Sequence, residues 1–292
     1  MRATIVMALY CLVLAQCLCH ANINDAIVAR YPLNGNLNDA SGNGLHGLLY
    51  GPVATTDRYG NPHGALHYNG NGNYAEISNS PMFSVNGKDF GLSVWLKFPN
   101  QTNPSGYALI FFKSDSDGSP YSGILFSVGY PFQGKVLGRM TGTEELVSSR
   151  SDLNDGNWHH YVLTKAGAQL QLYVDGVLDN SRGITVTNVD NPAPITLGAN
   201  HKDRTSQNYL GDMDDLRIYS QGLTSDDVWQ VFTESAICVT SAAVTVSHDV
   251  TSHVIAGTST TEIVGGMWVS NAASGEARAF PAARGWVAPA VG

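Results

Sequence analysis

Apolar and polar residues alternate along most of the chain between residues 26 and 219. The run 170–174 is a clear case, and Asp175-Gly176 follows it directly. A period of two puts successive side chains on opposite faces of a strand. An Asp-Gly pair favours a tight hairpin, because both residues of the two-residue turn need a positive φ. The same pattern predicts further strands at residues 90–98, 107–113, 123–129 and 158–165.

Clusters of glycine and asparagine separate these runs, at residues 34–36, 41–44 and 69–73. Many short strands joined by tight turns are typical of two packed antiparallel sheets, whereas parallel sheets need helical crossovers. The sequence therefore predicts an all-β sandwich with no helix of ordinary length inside it.

One short helix is predicted at the end of this region. Thr224 can cap its first turn, where Asp226 and Asp227 complement the positive end of the helix dipole, and Leu223 can pack on Val228. We expect this helix to act as a lid over one edge of the sheets.

The two ends of the chain differ from its body. Residues 1–21 combine Arg2, a short apolar run and small residues before Asn22, which predicts a secretory signal peptide; a buried N-terminal helix is the alternative. Residues 235–292 are rich in Ala, Ser, Thr and Val with few charges, and we interpret them as an irregular appended tail or a partial module. The main domain is then residues 22–234 of a secreted, extracellular protein without a membrane span.

Charge and cysteine content narrow the function further. The net charge of −8 excludes a basic protein that binds nucleic acid or another polyanion. Three of the four cysteines fall within the leader, so Cys238 either is buried or forms a disulfide-linked dimer. Asn100 begins a glycosylation sequon in a predicted surface loop.

Six motifs occur in an order that resembles one known family. They are the segments 31–44 (YPLNGNLNDASGNG), 64–70 (GALHYNG), 90–97 (FGLSVWLK), 156–162 (GNWHHYV), 172–176 (LYVDG) and 210–219 (LGDMDDLRIY). Together they resemble the laminin-G-like jelly-roll domains of the concanavalin A-like lectin/glucanase superfamily, over about residues 26–233. The resemblance implies a two-sheet jelly roll, and it leaves the function open because this scaffold carries both binders and hydrolases.

A calcium site is a candidate from the acidic residues. Asp39 lies in a loop of Asn, Ser and Gly, and Asp212 and Asp214 would point to one face of a strand. From residue types alone these acids could equally cap a turn and face solvent. The resemblance implies one Ca²⁺ between the opening loop and the late strand, with carboxylates of Asp39 and Asp214 and, as weaker candidates, Asn43, the Gly211 carbonyl and Asp212.

Neighbouring residues are expected to be structural. Asp215 and Arg217 should lie on the face opposite Asp214 as an exposed ion pair that contributes little. His159 and His160 are adjacent on a strand and point to opposite faces, so they cannot hold one ion together.

Catalytic patterns are missing from the sequence. Residues 212–215 lack both glutamates of the Glu-x-Asp-x-x-Glu strand that sandwich-fold glucanases carry, and Glu144 and Glu145 should diverge on a strand. The prediction is therefore a protein that is not an enzyme.

Recognition remains as the predicted function: a calcium-stabilised module that binds a carbohydrate or an extracellular-matrix glycoprotein. Aromatic side chains in loops could stack on sugar rings, namely Tyr59, Tyr121, Tyr130, Phe132, His201 and Tyr209. The alternatives are an adhesive matrix protein that self-associates through the tail and Cys238, and, third, a glycoside hydrolase or lyase.

Overall fold

The computed structural model describes residues 23–101, 107–115, 122–140, 144–185 and 188–234, and the backbone of 268–270 and 277–279. Short 3₁₀ helices at Ile23–Ala26 and Pro81–Phe83 accompany the strands. The strands of the main domain, in chain order, are β1 (Ile27–Tyr31), β2 (Gly47–Tyr50), β3 (Val53–Thr55), β4 (Ala65–Asn69), β5 (Tyr74–Ile77), β6 (Phe90–Lys97), β7 (Ala108–Ser114), β8 (Gly123–Val128), β9 (Val136–Met140), β10 (Glu145–Val147), β11 (His159–Ala166), β12 (Gln169–Val174), β13 (Val177–Gly183), β14 (Ile195–Leu197) and β15 (Leu210–Tyr219).

These strands form two antiparallel sheets. The eight-stranded sheet has the order β13-β12-β11-β6-β15-β4-β3, with β1 also paired to β15, and the seven-stranded sheet has the order β10-β9-β8-β7-β14-β5-β2. Alternate residues of both sheets meet in one large apolar cluster, as the period of two requires. The predicted all-β jelly-roll sandwich is confirmed.

The hairpin predicted at Asp175-Gly176 is also present. Val174 pairs with Val177 across it, and the two turn residues have φ of 52° and 81°. Both values are positive, as a two-residue turn that matches the strand twist demands.

A register shift in β7 determines which of its side chains face outward. The pairing with β8 is irregular between Leu109 and Phe111, so Ile110 and Phe111 both point into the main core. Leu109 and Phe112 consequently lie on the outer face, in a separate small apolar cluster with Leu125 and Leu137.

Helix α1 (Ser225–Glu234) covers the outer face of the eight-stranded sheet. The Asp227 amide donates to the Thr224 hydroxyl, and the Thr224 amide donates back to the Asp227 carboxylate, which is the predicted cap in reciprocal form. Leu223 and Val228 pack in a second apolar cluster that includes Tyr173 of this sheet. The helix therefore lies over a sheet face rather than over an edge alone.

The chain divides into two units, Met1–Val239 and Thr240–Gly292. In the second unit, strands β16 (Trp268–Ser270) and β17 (Ala277–Ala279) form an antiparallel pair. The predicted signal peptide, residues 1–21, and Cys238 lie outside the described residues. No described helix combines the length and apolar character that a membrane crossing would need.

Candidate functional site

The outer face of the seven-stranded sheet carries one row of side chains across all its strands. Residues directly opposite each other in antiparallel strands share a face, so the pairing register identifies the members of the row. In order they are Glu145, Arg139, Leu125, Phe112, Thr196, Glu76 and Leu48. Glu145 and Arg139 stand at one end of this row and Glu76 stands near the other. Leu125, Phe112 and Thr196 lie between them, and Leu48 is the last member, on the edge strand β2.

Four side chains near the β10 end of this row form a compact group, which we call the first quartet: Tyr107, Tyr130, Arg139 and Glu145. The rings of Tyr107 and Tyr130 are stacked, with centroids 4.0 Å apart and an interplanar angle of 17°. They meet because Tyr107 directly precedes β7 and Tyr130 follows β8, which pairs with β7 as a hairpin.

The charges of the first quartet are balanced. The Arg139 guanidinium lies 5.5 Å from the Tyr107 ring centroid, its Nη2 donates to the Tyr107 hydroxyl at 2.8 Å, and it forms an ion pair with Glu145. Burial, and the hydrogen bond with Tyr130, raise the pKa of Tyr107, so this phenol stays neutral. The group offers aromatic surface beside polar atoms with no net charge.

The predicted ligand-binding residues separate in space. Tyr130 belongs to the first quartet. The His201 ring lies beside Phe112 of the outward row, with 5.6 Å between the ring centroids. Phe132 is exposed in the loop after β8. Tyr59 is exposed beside Arg58. Arg58 belongs to the loop between β3 and β4 and contacts Trp95 of the eight-stranded sheet. Tyr121 lies outside the described residues.

Tyr209 corrects the prediction. Its side chain is fully buried, in ring contacts with Tyr68 and Phe98 at centroid distances of 5.9 and 6.4 Å. Its hydroxyl donates to the Asp212 carbonyl at 3.1 Å. A residue between the sheets cannot stack on an external ligand, so Tyr209 is a core residue.

Asp39, the first predicted calcium ligand, is surrounded by hydrogen-bond donors from its own loop and from Arg30 of β1. One carboxylate oxygen accepts from the amides of Arg30 and Ser41, at 3.1 and 2.8 Å. The other accepts from the Ser41 hydroxyl and the Leu45 amide, at 2.9 and 3.0 Å. Burial raises the pKa of Asp39, but these hydrogen bonds outweigh it and the pKa is lowered, so the carboxylate is stabilised without a cation.

Asp214, the second predicted ligand, is ion-paired with Arg58. The two side chains are only 5% and 8% exposed, and the guanidinium also lies 3.3 Å from Asp215. Burial raises the pKa of Asp214 to about 6 against the opposing charge of Arg58. The guanidinium of Arg58 thus already supplies a positive charge at this carboxylate.

The prediction for Asp215 and Arg217 is wrong. The pairing of β15 with β6 shifts between Asp214 and Arg217, and Asp215 has a φ of 45°, so its side chain also turns toward Arg58. The Asp215–Arg217 pair, at 2.8 Å, is buried rather than exposed. Burial raises the pKa of Asp215, but the hydrogen bond and charge of Arg217 dominate and lower it to about 2.

Two of the three weaker calcium candidates, Asp212 and Asn43, have polar contacts of their own. Asp212 contacts His67 at 2.7 Å, and Asn43 donates from Nδ2 to the Val28 carbonyl at 2.9 Å. At Gly211 an added Cβ would lie 2.5 Å from the Lys97 carbonyl, so close packing accounts for this glycine. Within the described part of the chain, no three His, Cys, Asp or Glu residues gather as a metal site would require. The calcium set stays a prediction, and the contacts of the Asp39, Asp212 and Asp214 carboxylates do not fit it.

The two adjacent histidines serve separate parts of the fold, as expected. His159 contacts Asp175 at 2.8 Å and Asp155 at 3.3 Å at the end of the sandwich. His160 is fully buried, 2.8 Å from the Ser93 hydroxyl and 5.1 Å between ring centroids from Trp95.

A comparison with family models identifies the relatives of this fold. The laminin G model of the concanavalin A-like lectin/glucanases superfamily matches residues 69–229, which is more than half of the chain. This chain belongs to that superfamily. A search of the curated proteins found no match.

Among solved structures, the chain is similar to the binding domain of Paraclostridial Mosquitocidal Protein 1, at 19% identity and a TM-score of 0.60 over 73% of this chain and 53% of that one. It is also similar to the ligand binding domain of botulinum neurotoxin serotype D in complex with N-acetylneuraminic acid. The identity is 18% and the TM-score 0.56, over 74% of this chain and 52% of that one. A third similar structure is domain 4 of AbnA, a GH43 extracellular arabinanase from Geobacillus stearothermophilus, in complex with arabinotriose. The identity is 19% and the TM-score 0.53, over 70% of this chain and 97% of that one. The chain spans about half the length of the two toxin domains, and at these identities the likeness shows the fold.

Sequence reasoning missed most residues of the outer face. Tyr107 and Arg139 in the first quartet, and Tyr50 and Tyr74 on β2 and β5, were not singled out. In the sequence these residues alternate with apolar core residues, which indicates that they face outward. Only the register between strands shows which of them are in contact.

Proposed function

We propose that this protein is a non-catalytic glycan-binding module whose binding site is the first quartet. The quartet presents aromatic rings next to an ion pair without net charge on an outer sheet face. A sugar ring has an apolar C–H face and a rim of hydroxyls, and such a surface can contact both. Two structures with similar folds were determined with an oligosaccharide or a sugar, which supports this class of ligand.

The charge distribution favours neutral glycans over acidic ones. Arg139 is neutralised by Glu145, so the quartet has no excess positive charge to attract a carboxylate. The net charge of −8 adds long-range repulsion of acidic chains.

The glutamates of this face are poorly placed for glycoside hydrolysis. Glu145 and Glu76 stand five strand spacings apart in the row, which corresponds to about 24 Å. The two carboxyl groups of a hydrolase lie only about 5–10 Å apart. Glu144 is buried and accepts from the Thr185 amide and hydroxyl, so it diverges from Glu145.

Secretion and self-association rest on segments outside the described side chains. The leader pattern of residues 1–21 supports an extracellular glycan ligand. Self-association through the tail and Cys238 stays a prediction.

The proposal can be tested by calorimetric titration with neutral oligosaccharides, beginning with arabinotriose, and with N-acetylneuraminic acid as an acidic comparison. We expect a neutral sugar to bind and Tyr130→Ala to weaken that binding at least about tenfold, a loss that a single ring stack and its desolvation can account for. Trp229→Ala is the matched control, because Trp229 is 54% exposed on helix α1 over the other sheet. Equal losses in both variants, or no binding by any neutral sugar, would contradict the proposal.

A further inference from the structure

A second group of side chains repeats the composition and geometry of the first quartet. Tyr50 and Tyr74 are stacked with centroids 4.6 Å apart and an interplanar angle of 13°. The Arg204 guanidinium lies 3.8 Å from the Tyr74 ring centroid and forms an ion pair of 2.9 Å with Glu76. We call these four side chains the second quartet.

Each quartet consists of a stacked tyrosine pair, an arginine over one of its rings and a glutamate that neutralises the arginine. Glu76 belongs to the outward row that contains Arg139, so the two groups lie on the same sheet face. They are built from unrelated segments: the first from β7 to β10, the second from β2, β5 and the loop after β14.

We infer that the second quartet is a second, separate binding site for a neutral glycan; this rests on the proposed function of the first. Tyr50 is 42% exposed, and Leu48, two residues before it on the same face of β2, is 65% exposed. Large exposed apolar side chains on an edge strand promote aggregation with other chains. Where a protein keeps them, they often mark a binding site. A ring stack beside the Arg204–Glu76 ion pair offers a sugar apolar contact together with hydrogen-bonding groups that carry no net charge.

The space between the quartets indicates two sites rather than one long groove. Arg139 and Glu76 stand four strand spacings apart, about 19 Å. The row members between them, Leu125, Phe112 and Thr196, are all buried, so no open floor joins the two groups. A module with two separate sites can hold two sugar chains, or two places on one chain, and gains avidity for polymers.

The arrangement could instead only stabilise the sheet, because a cross-strand aromatic pair holds β2 against β5. Stoichiometry separates the two interpretations. Arabinotriose would be titrated into the wild-type chain, Tyr50→Leu, Tyr130→Ala and the double variant, with melting curves to show that each is folded. Tyr50→Leu keeps an apolar side chain on β2 and removes the ring.

We expect two sites in the wild type, one in each single variant and none in the double variant. Val53→Ala is the control, since Val53 is 59% exposed on the edge strand β3 of the other sheet, away from both quartets; this variant should retain both sites. If the wild type binds one sugar and Tyr50→Leu still binds one, the second site is wrong and the proposed function of the first quartet stands. Absence of binding in the wild type would overturn both.

Discussion

Arg58 and Asp214 form a buried ion pair although 156 positions separate them in the chain. The same guanidinium contacts Asp215 at 3.3 Å and lies 5.0 Å from the Trp95 ring centroid. One side chain thus ties the loop between β3 and β4 to the middle of the eight-stranded sheet. The family resemblance suggested a metal ion at Asp214, and here an arginine supplies the positive charge.

Removing this cation should destabilise the fold strongly. Arg58→Ala leaves the carboxylates of Asp214 and Asp215 buried beside one positive charge fewer, and breaking a buried pair from one side costs about 3–5 kcal/mol. The free energy of unfolding in urea measures the effect. Lys88→Ala removes the same charge from an exposed position and should change stability by less than about 0.5 kcal/mol. Similar values for the two variants would contradict a structural role of the pair.

Asp215 shows where sequence reasoning stops. The strands and the helix cap could be predicted because a period of two and capping residues are local properties. The period assumes a regular strand, however, and the irregular pairing after Asp214 turns Asp215 toward Arg58. Similarly, Tyr130 could be proposed as an exposed ring, but its stacking on Tyr107 depends on the register between two strands.

Calcium removal should leave the stability of the protein unchanged. All four hydrogen bonds to Asp39 come from its own loop or from Arg30, and Asp214 already has Arg58 as a cation. Melting curves in excess CaCl₂ and in EDTA should therefore coincide. A ligand at about 100 times its dissociation constant would add about 2.7 kcal/mol, which such curves resolve. An increase with CaCl₂ that Asp39→Ala abolishes would instead support the ligand set expected from the sequence.

His159 should make stability depend on pH. The hydrogen bond to Asp175 raises the pKa of His159 against the effect of burial, and Asp155 adds to the rise; Arg150 is paired with the same Asp175. Because the folded state binds this proton more tightly, the stabilisation is complete below the unfolded pKa of about 6.5 and is lost as pH rises through the folded pKa.

The measurement is the urea midpoint of the wild type and of His159→Gln at several values between about pH 5 and 9. The wild type should lose stability relative to the variant as pH rises across this range, since glutamine cannot titrate. Parallel pH profiles would show that the contact between His159 and Asp175 does not couple protonation to folding.

Tyr209 tests the boundary between core and binding surface. Tyr209→Ala should cost about 3–5 kcal/mol, because it removes a fully buried ring that contacts Tyr68 and Phe98. Tyr209→Phe keeps the ring and loses the hydroxyl contact with the Asp212 carbonyl, at a cost of about 0.5–1.5 kcal/mol. Binding of arabinotriose by Tyr209→Phe should equal that of the wild type. If this variant is stable and yet loses sugar binding, Tyr209 belongs to the recognition surface after all, and the first quartet is not the complete site.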